Sequence, residues 1–189
     1  MLYKLLMEKT ISQIEKATKS KASNFEVLSE LIKLRLTALV LITTLVGFYA
    51  ALNNETGGLA DNLIKLVFTL LGTGLLAAGA AILNQYLERE YDARMNRTAE
   101  RPLPSGLVGA EAALLLGGAF SVFGLLTLSA WSNLLVAVLG AVTLVTYIFV
   151  YTPLKRKSEW NTIIGAIPGA LPPLMGWAAA RGEVDPLGW

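Results

Sequence analysis

The 189-residue sequence contains no cysteine and no histidine. The absence of cysteine excludes disulfide bonds and thiolate chemistry, and the absence of histidine excludes imidazole acid–base catalysis. Zinc sites built from cysteine and histidine are excluded for the same reason. Any metal ion held by this chain must therefore be a hard cation such as Mg²⁺, bound through carboxylate, amide and phosphate oxygens.

Charged residues are also scarce, at 16% of the chain, whereas hydrophobic residues make up 54% and the mean hydropathy is +0.54. These values exceed those of soluble domains, and the apolar residues form blocks long enough to cross a hydrocarbon layer about 30 Å thick. We predict an all-α integral membrane protein with five spans, over residues 37–52, 66–83, 112–130, 134–151 and 162–180. The short connection between the third and fourth spans requires a tight antiparallel hairpin.

Lysine and arginine are concentrated in alternate connections. Fourteen lie before the first span, in residues 84–111 or in residues 152–161, whereas the other side has only Lys65 and Arg181. Because cytoplasmic loops retain basic residues, this asymmetry predicts a multi-pass protein of the cell inner membrane with a cytoplasmic N-terminus. The connection 84–111 is expected on the same, cytoplasmic side.

Residues 1–35 form a basic N-terminal segment, and residues 36–189 form the transmembrane part. Ser23 and Glu26 have the spacing of a capping box and predict a short helix that leads into the first span. The earlier part fits either a disordered basic tail or a helix lying on the anionic membrane surface. The second interpretation rests on apolar residues at helical spacing opposite several lysines, namely Tyr3, Met7, Ile11 and Ile14.

Three oxygen-bearing side chains, Asn84, Glu88 and Asp92, recur every four residues at the end of the second span. If the helix of this span continues, all three lie on one face and rise about 6 Å per step. Polar groups at the edge of an apolar span are costly unless they are used. We therefore interpret these residues as a magnesium site for a diphosphate, and call them the oxygen row.

Five further residues are candidates for contacting the diphosphate. Arg97 and Arg101 are four residues apart and offer planar forks of donors to phosphate oxygens, provided that the helix continues that far. Tyr151, Lys155 and Arg156 lie at the end of the fourth span, on the side of the oxygen row. They fit equally well as diphosphate ligands or as residues of the membrane interface, with Tyr151 as an interfacial aromatic and the two cations serving only to set the topology.

Several glycines inside the spans are interpreted as packing positions. Gly165 and Gly169 form a small-xxx-small pair that favours helix packing. The same is expected of the glycines in Gly72-Thr73-Gly74 and Gly117-Gly118. Glu111 is interpreted as a helix-start residue of the third span, where a carboxylate complements the helix dipole.

Two stretches of the sequence resemble the UbiA-type intramembrane prenyltransferases. The first, NQYLEREYDARMNRTAERPLPSG, is similar to the family motif Asn-x-x-x-Asp-x-x-x-Asp followed by Arg-Thr-x-x-Arg-Pro. The second is YTPLKRKSEWNTIIGAIPGALPPLMGWAA. Both are most similar to the haem-farnesylating branch, in which Glu88 also replaces the usual Asp. The resemblance covers roughly residues 30–180.

The resemblance implies transfer of a farnesyl group from farnesyl diphosphate to a vinyl group of haem B, with water supplying the hydroxyl of haem O. It implies that Mg²⁺ binds to the oxygen row and that arginines, with Lys155, stabilise the leaving diphosphate. The catalytic residues implied are Glu88, Asp92, Arg97 and Arg101. The implied partners are farnesyl diphosphate, haem B, the lipid bilayer, and haem A synthase or oxidase assembly proteins downstream, with no nucleic acid.

The sequence departs from the family in two respects. The family usually has Lys-Pro-Arg before the first span, whereas this chain has Lys33-Leu34-Arg35, which we expect to affect only local helix geometry. The family also has about nine spans and a second acidic motif, so we expect this five-span chain to be an N-terminal part that is inactive alone. Two alternatives stay open: a sister enzyme with a quinone-precursor or other aromatic acceptor, and an inactive membrane fragment or assembly partner.

Overall fold

The computed structural model describes residues 23–52, 56–155 and 160–188. The candidate surface helix of the first 22 residues lies outside these ranges. A π-helical segment, Thr146–Tyr151, separates two of the α-helices. The α-helices are α1 (Asn24–Leu31), α2 (Leu34–Ala51), α3 (Leu63–Asp92), α4 (Ala110–Trp131), α5 (Leu134–Val145), α6 (Thr152–Leu154) and α7 (Asn161–Arg181).

Within the described residues, five helical stretches are long and apolar enough to cross a membrane, which confirms the predicted number of spans. They are α2, α3, α4, α7 and the continuous stretch Leu134–Leu154 that contains α5, the π-helical segment and α6. The second span was predicted to end at residue 83 because hydropathy falls at Asn84. α3 continues nine residues further and ends at Asp92. The oxygen row therefore belongs to α3 itself.

The predicted helix starts at Ser23 and at Glu111 are confirmed. Ser23 accepts a hydrogen bond from the amide of Phe25, and the Glu26 carboxylate accepts one from the amide of Ser23 at 3.0 Å. α1 therefore begins with the capping box expected from the sequence. α4 begins at Ala110 and carries Glu111 in its first turn, where a carboxylate offsets the positive end of the helix dipole.

α3 packs most extensively against α4, and glycines make the close approach possible. A Cβ atom added at Gly79 would lie 2.8 Å from the Gly117 carbonyl oxygen, and one at Gly124 would lie 2.8 Å from that of Gly72. The backbones of the two helices are thus in direct contact, as small residues allow in membranes. This confirms the packing role of Gly72 and Gly117, whereas Gly118 has no such neighbour within 4 Å.

α2 packs in the same way against α7. A Cβ atom at Gly47 would collide with the carbonyl of Pro173, and one at Gly176 would collide with the carbonyl of Thr44. These contacts hold α7 firmly against the first span. α7 remains one continuous helix although it contains three prolines, Pro168, Pro172 and Pro173.

The predicted hairpin between the third and fourth spans is confirmed. Only Ser132 and Asn133 separate α4 from α5, and Asn133 caps α5 by accepting a 2.8 Å hydrogen bond from the amide of Val136. The side-chain amide of Asn133 also donates to the carbonyl of Ala178 at 2.8 Å. The hairpin is therefore fixed to α7 at the end of the bundle opposite the oxygen row.

Lys33 forms the break between α1 and α2. Its backbone lies in the left-handed region, with φ 49° and ψ 55°, and no other non-glycine in the described ranges has a positive φ. A residue with a Cβ adopts this conformation at an energetic cost, and such residues cluster at functional sites. Leu34 is the first residue of α2, the position at which proline is tolerated in a helix.

Candidate functional site

The oxygen row lies buried on the last three turns of α3. Asn84, Glu88 and Asp92 are only 1%, 3% and 5% exposed. The amide nitrogen of Asn84 donates a 2.9 Å hydrogen bond to Oε2 of Glu88, so adjacent members of the row contact each other. The sequence prediction that these side chains share one face of a continuing helix is confirmed.

Each carboxylate of the row is paired with a cation from another part of the chain. Lys155, which follows α6, places Nζ 2.5 Å from Oε2 of Glu88. Arg101, in the connection between α3 and α4, places Nη1 2.6 Å from Oδ2 of Asp92. Both carboxylates are more buried than their partners, so removing either cation would leave a buried carboxylate uncompensated.

The two arginines predicted for the site have different positions. α3 ends at Asp92, so the condition that the helix continue to Arg97 and Arg101 is not met. A series of turns, held by a hydrogen bond from the Thr98 hydroxyl to the Asp92 carbonyl, brings Arg101 back to the row. Arg97 is exposed, and among the described residues it makes no hydrogen bond or ion pair with the row.

Three contacts with Asn84 were not predicted from the sequence. Lys33 Nζ donates to Oδ1 of Asn84 at 2.8 Å, and the Tyr147 hydroxyl lies 3.5 Å from the same atom. The Asn84 amide also donates to Oγ1 of Thr152 at 3.2 Å, and this hydroxyl donates to the Tyr147 carbonyl. The sequence signal available for the Thr152 contact was the Thr152-Pro153 pair at the end of a span, since Pro153 has no backbone N–H to donate.

The π-helical segment explains why Tyr147 and Thr152 both reach the row. π-helical turns are rare and are found frequently at functional sites. Here the turn stacks the rings of Tyr147 and Tyr151 with centroids 5.6 Å apart. The wide turn therefore presents Tyr147, Tyr151 and Thr152 together beside α3.

Lys33 is less basic than an ordinary lysine. Its burial, followed by the positive charges of Arg101 and Lys155, lowers the pKa of Lys33 from 10.5 to about 8, although Glu88 and Asp92 act in the opposite direction. The ammonium is still protonated at neutral pH. An additional anion between these three cations would relieve their mutual repulsion.

A cavity of about 280 Å³ opens beside the row and extends into the membrane-spanning part. This volume lies near the lower end of the range for ligand pockets, about 300–1,000 Å³. Its lining is mainly apolar and comes from α2, α3, α5, the π-helical segment and α7. It begins at Lys33, Tyr147 and Tyr151 and reaches Thr73, Pro172 and Met175 in the interior.

Two glycines on α7 help to shape this cavity. A Cβ atom at Gly165 would lie 2.7 Å from the ring of Tyr151, so Gly165 allows the ring to pack on α7. Gly169 has no such neighbour within 4 Å and lines the cavity, so the helix-packing prediction is wrong for this residue. Tyr151 borders the cavity mouth, and the predicted diphosphate ligand Arg156 lies outside the described residues.

The oxygen row fits a hard metal ion that is shared with a phosphate ligand. Within the described ranges no group of three or more Asp, Glu, His or Cys residues is placed to hold a metal ion. The row supplies two carboxylates and one amide oxygen, which are ligands that Mg²⁺ prefers. Because Mg²⁺ usually binds through one or two carboxylates, waters and substrate phosphates, this set suits a metal–phosphate complex.

Curated relatives share the sequence of this region. The chain is 47% identical over 164 residues to "Protoheme IX farnesyltransferase" of Solibacter usitatus, a match covering 85% of this chain and 56% of the relative. It is 44% identical over 160 residues to the protein of the same name from Opitutus terrae, covering 85% and 52%. The chain thus spans about half the length of the curated relatives it matches.

A solved structure shares the arrangement of the helices. A UbiA homologue from Archaeoglobus fulgidus, solved bound to GPP and Mg²⁺, matches with a TM-score of 0.71 and 21% sequence identity, over 85% of this chain and 56% of that one. Residues 40–189 also match the UbiA prenyltransferase family. With five helices that can span a membrane and this match over most of its length, the chain is a multi-pass membrane protein that belongs to the UbiA prenyltransferase family.

Proposed function

We propose that this chain binds farnesyl diphosphate together with Mg²⁺ and takes part in transferring the farnesyl group to haem B. One observation carries the proposal: a buried row of oxygen ligands meets three cations, and one of them, Lys33, also lines an apolar cavity. Such a site suits a ligand with a strongly anionic head and a long apolar tail. A prenyl diphosphate has this composition.

The head of the donor would lie between the row and its cations. Lys33, Arg101 and Lys155 approach the row from three different segments, so their donors surround the place where phosphate oxygens would be held. As the bond between the first prenyl carbon and the diphosphate oxygen breaks, the electron pair passes to the diphosphate. Preorganised cations stabilise that developing charge without having to reorganise.

Asn84, Glu88 and Asp92 would hold the metal. When bound, Mg²⁺ supplies charge neutralisation between the carboxylates and the diphosphate oxygens. Thr152 fixes the side-chain orientation of Asn84 by accepting from its amide nitrogen, so that Oδ1 points toward Lys33 and Tyr147. The amide oxygen is thereby held in place as a third ligand.

The tail of the donor would occupy the apolar cavity. Its walls carry few groups that hold water, so the allylic cation left after ionisation is shielded from premature hydrolysis. From the level of Asn84, α3 continues eleven residues inward to Thr73, the deepest α3 residue that lines the cavity, a distance of about 16 Å. An extended chain advances about 1.2 Å per bond, so most of a farnesyl chain fits this depth.

The identities of donor and acceptor are supported by the names of the relatives. The two relatives are called protoheme IX farnesyltransferases, and the solved homologue binds GPP and Mg²⁺. We propose attack by a vinyl group of haem B on the farnesyl cation, with water adding the hydroxyl of haem O. The fourteen-to-two charge asymmetry further supports a cytoplasmic position for the oxygen row in the inner membrane.

Equilibrium binding of labelled farnesyl diphosphate tests the donor site. The chain in nanodiscs with Mg²⁺ should bind it saturably, and Glu88→Gln should weaken binding at least tenfold. Glu90→Gln is the matched control, since Glu90 lies two residues away on the exposed side of α3 and pairs with Arg89. Equal losses in both variants, or no binding by the wild type, would refute the proposal.

Absorbance titration with haem B tests the acceptor, in the presence of a farnesyl thiodiphosphate that ionises slowly. Saturable binding of haem B is expected. Binding of 4-hydroxybenzoate in place of haem B would instead assign the site to the enzymes that prenylate quinone precursors.

A further inference from the structure

Two of the site's cations each occupy one oxygen of a carboxylate that is proposed to bind the metal ion. Oε2 of Glu88 accepts hydrogen bonds from both Lys155 and Asn84, and Oδ2 of Asp92 accepts from Arg101. A metal ion that approaches either atom must displace an ammonium or guanidinium group. Metal ion and protein cation therefore compete for the row.

The charges around the row oppose the binding of a metal ion by itself. Two carboxylates, Glu88 and Asp92, face three cations, Lys33, Arg101 and Lys155, so this group of five residues carries one net positive charge. A divalent cation alone meets repulsion from this group, whereas a diphosphate meets attraction. Both effects are strengthened because the carboxylates are buried.

A diphosphate would remove this barrier by giving the cations other partners. The side chains of Lys155 and Arg101 are 33% and 22% exposed, whereas those of Glu88 and Asp92 are 4% and 7% exposed. The cations are thus the more exposed members of each pair, and they lie outside the helix that carries the row. If they turn toward phosphate oxygens, Oε2 of Glu88 and Oδ2 of Asp92 become available to a metal ion.

We propose that Lys155 and Arg101 make this site selective for a complex of divalent cation and diphosphate, and that the site rejects the divalent cation alone. This inference rests on the proposed function of the row. The two residues act as specificity determinants: each covers a carboxylate oxygen until a diphosphate takes its donor. By linkage, the diphosphate raises the affinity for the metal ion by the same factor as the metal ion raises that for the diphosphate.

Equilibrium dialysis with Mn²⁺ tests this selectivity. The chain is placed in nanodiscs of zwitterionic lipid, and retained Mn²⁺ is compared with empty nanodiscs, with and without inorganic diphosphate. We expect no retention above empty discs with Mn²⁺ alone at concentrations where Mn²⁺ plus diphosphate is retained one to one. Equal retention of Mn²⁺ with and without diphosphate would overturn the selectivity and leave the proposed function intact.

Two variants test the role of the cations. Lys155→Gln and, independently, Arg101→Gln should each raise the affinity for Mn²⁺ alone at least tenfold and lower that for Mn²⁺ with diphosphate. Arg89→Gln removes the same charge at the same end of α3, but Arg89 bonds to the Tyr86 carbonyl and Glu90, so it should change neither value.

Three results decide the matter. Folded variants at Lys155 or Arg101 that gain no affinity for Mn²⁺ alone would overturn the proposal. Gains in the Arg89 variant as large as theirs would show a general charge effect and overturn it as well. Absence of diphosphate binding in every arm would refute the proposed function, and this inference with it.

Discussion

Lys155 lies 2.5 Å from Glu88 and links the end of the fourth span to the last turns of the second. The lysine is one-third exposed, whereas the carboxylate is almost fully buried. Removing one partner of such a pair leaves the other charge uncompensated, which is costly. Loss of either partner should therefore destabilise the bundle, and the contact holds the Lys155 ammonium beside the oxygen row.

Asp92→Asn should weaken binding of farnesyl diphosphate with Mg²⁺ at least tenfold, because the variant loses the charge of a proposed metal ligand and releases Arg101. The measurement is equilibrium binding in nanodiscs. Asp61→Asn serves as control, since Asp61 precedes the other end of α3 and, among the described residues, accepts a side-chain bond from the amide of Gly58 alone. Unchanged binding in Asp92→Asn would remove this residue from the site.

Gly169→Leu should distinguish binding of the donor's apolar tail from binding of its diphosphate head. Gly169 lines the cavity and an added Cβ there has no neighbour within 4 Å, so a leucine should fill cavity space; binding of farnesyl diphosphate should fall at least tenfold while binding of inorganic diphosphate stays the same. Gly118→Leu, another helical glycine without a neighbour within 4 Å, should change neither. Parallel losses for both ligands in Gly169→Leu would contradict the assignment of the cavity to the tail.

Gly47→Ala should destabilise the protein by about 1–3 kcal/mol, because the added methyl group collides with the Pro173 carbonyl and forces α2 from α7. Thermal unfolding in detergent measures the effect. Gly118→Ala adds the same methyl group where space is open and should be neutral or slightly stabilising, since alanine favours helices. Equal unfolding temperatures for the two variants would contradict the close packing of α2 and α7.

The five spans and the oxygen row were predictable from the sequence because both depend on local patterns. Span positions follow from runs of apolar residues, and the shared face of the row follows from the spacing of four in one helix. The end of the second span was not predictable in this way. α3 continues past Asn84 because its polar side chains find partners in other segments, and hydropathy does not register such partners.

The partners of the row depend on tertiary structure, which spacing alone does not reveal. Arg97 and Arg101 have the same spacing as the row, yet only Arg101 is returned to Asp92 by the turns that follow α3. Lys33 contacts Asn84 although the two residues are 51 positions apart in the chain, and the backbone of Lys33 has the left-handed conformation. The roles of these residues, and the expectation that the chain alone is inactive, stay predictions.

The sidedness of the site can be tested with two matched cysteine variants, since the chain has no native cysteine. Ala93 directly follows α3 at the end with the oxygen row, and Ala60 precedes α3 at the other end; both are exposed. A membrane-impermeant thiol reagent should label Ala60→Cys in intact spheroplasts and Ala93→Cys only after lysis. The reverse pattern would place the row outside the cytoplasm.

The same two cysteines permit the most direct test of the central claim, that the oxygen row and its cations bind the diphosphate. A nitroxide label is attached at Ala93→Cys or at Ala60→Cys, and the ³¹P relaxation of bound farnesyl diphosphate is measured with Mg²⁺. We predict strong broadening of both phosphorus signals by the label at Ala93→Cys and little by the label at Ala60→Cys. Broadening that is equal for the two labels, or stronger from Ala60→Cys, would contradict the account.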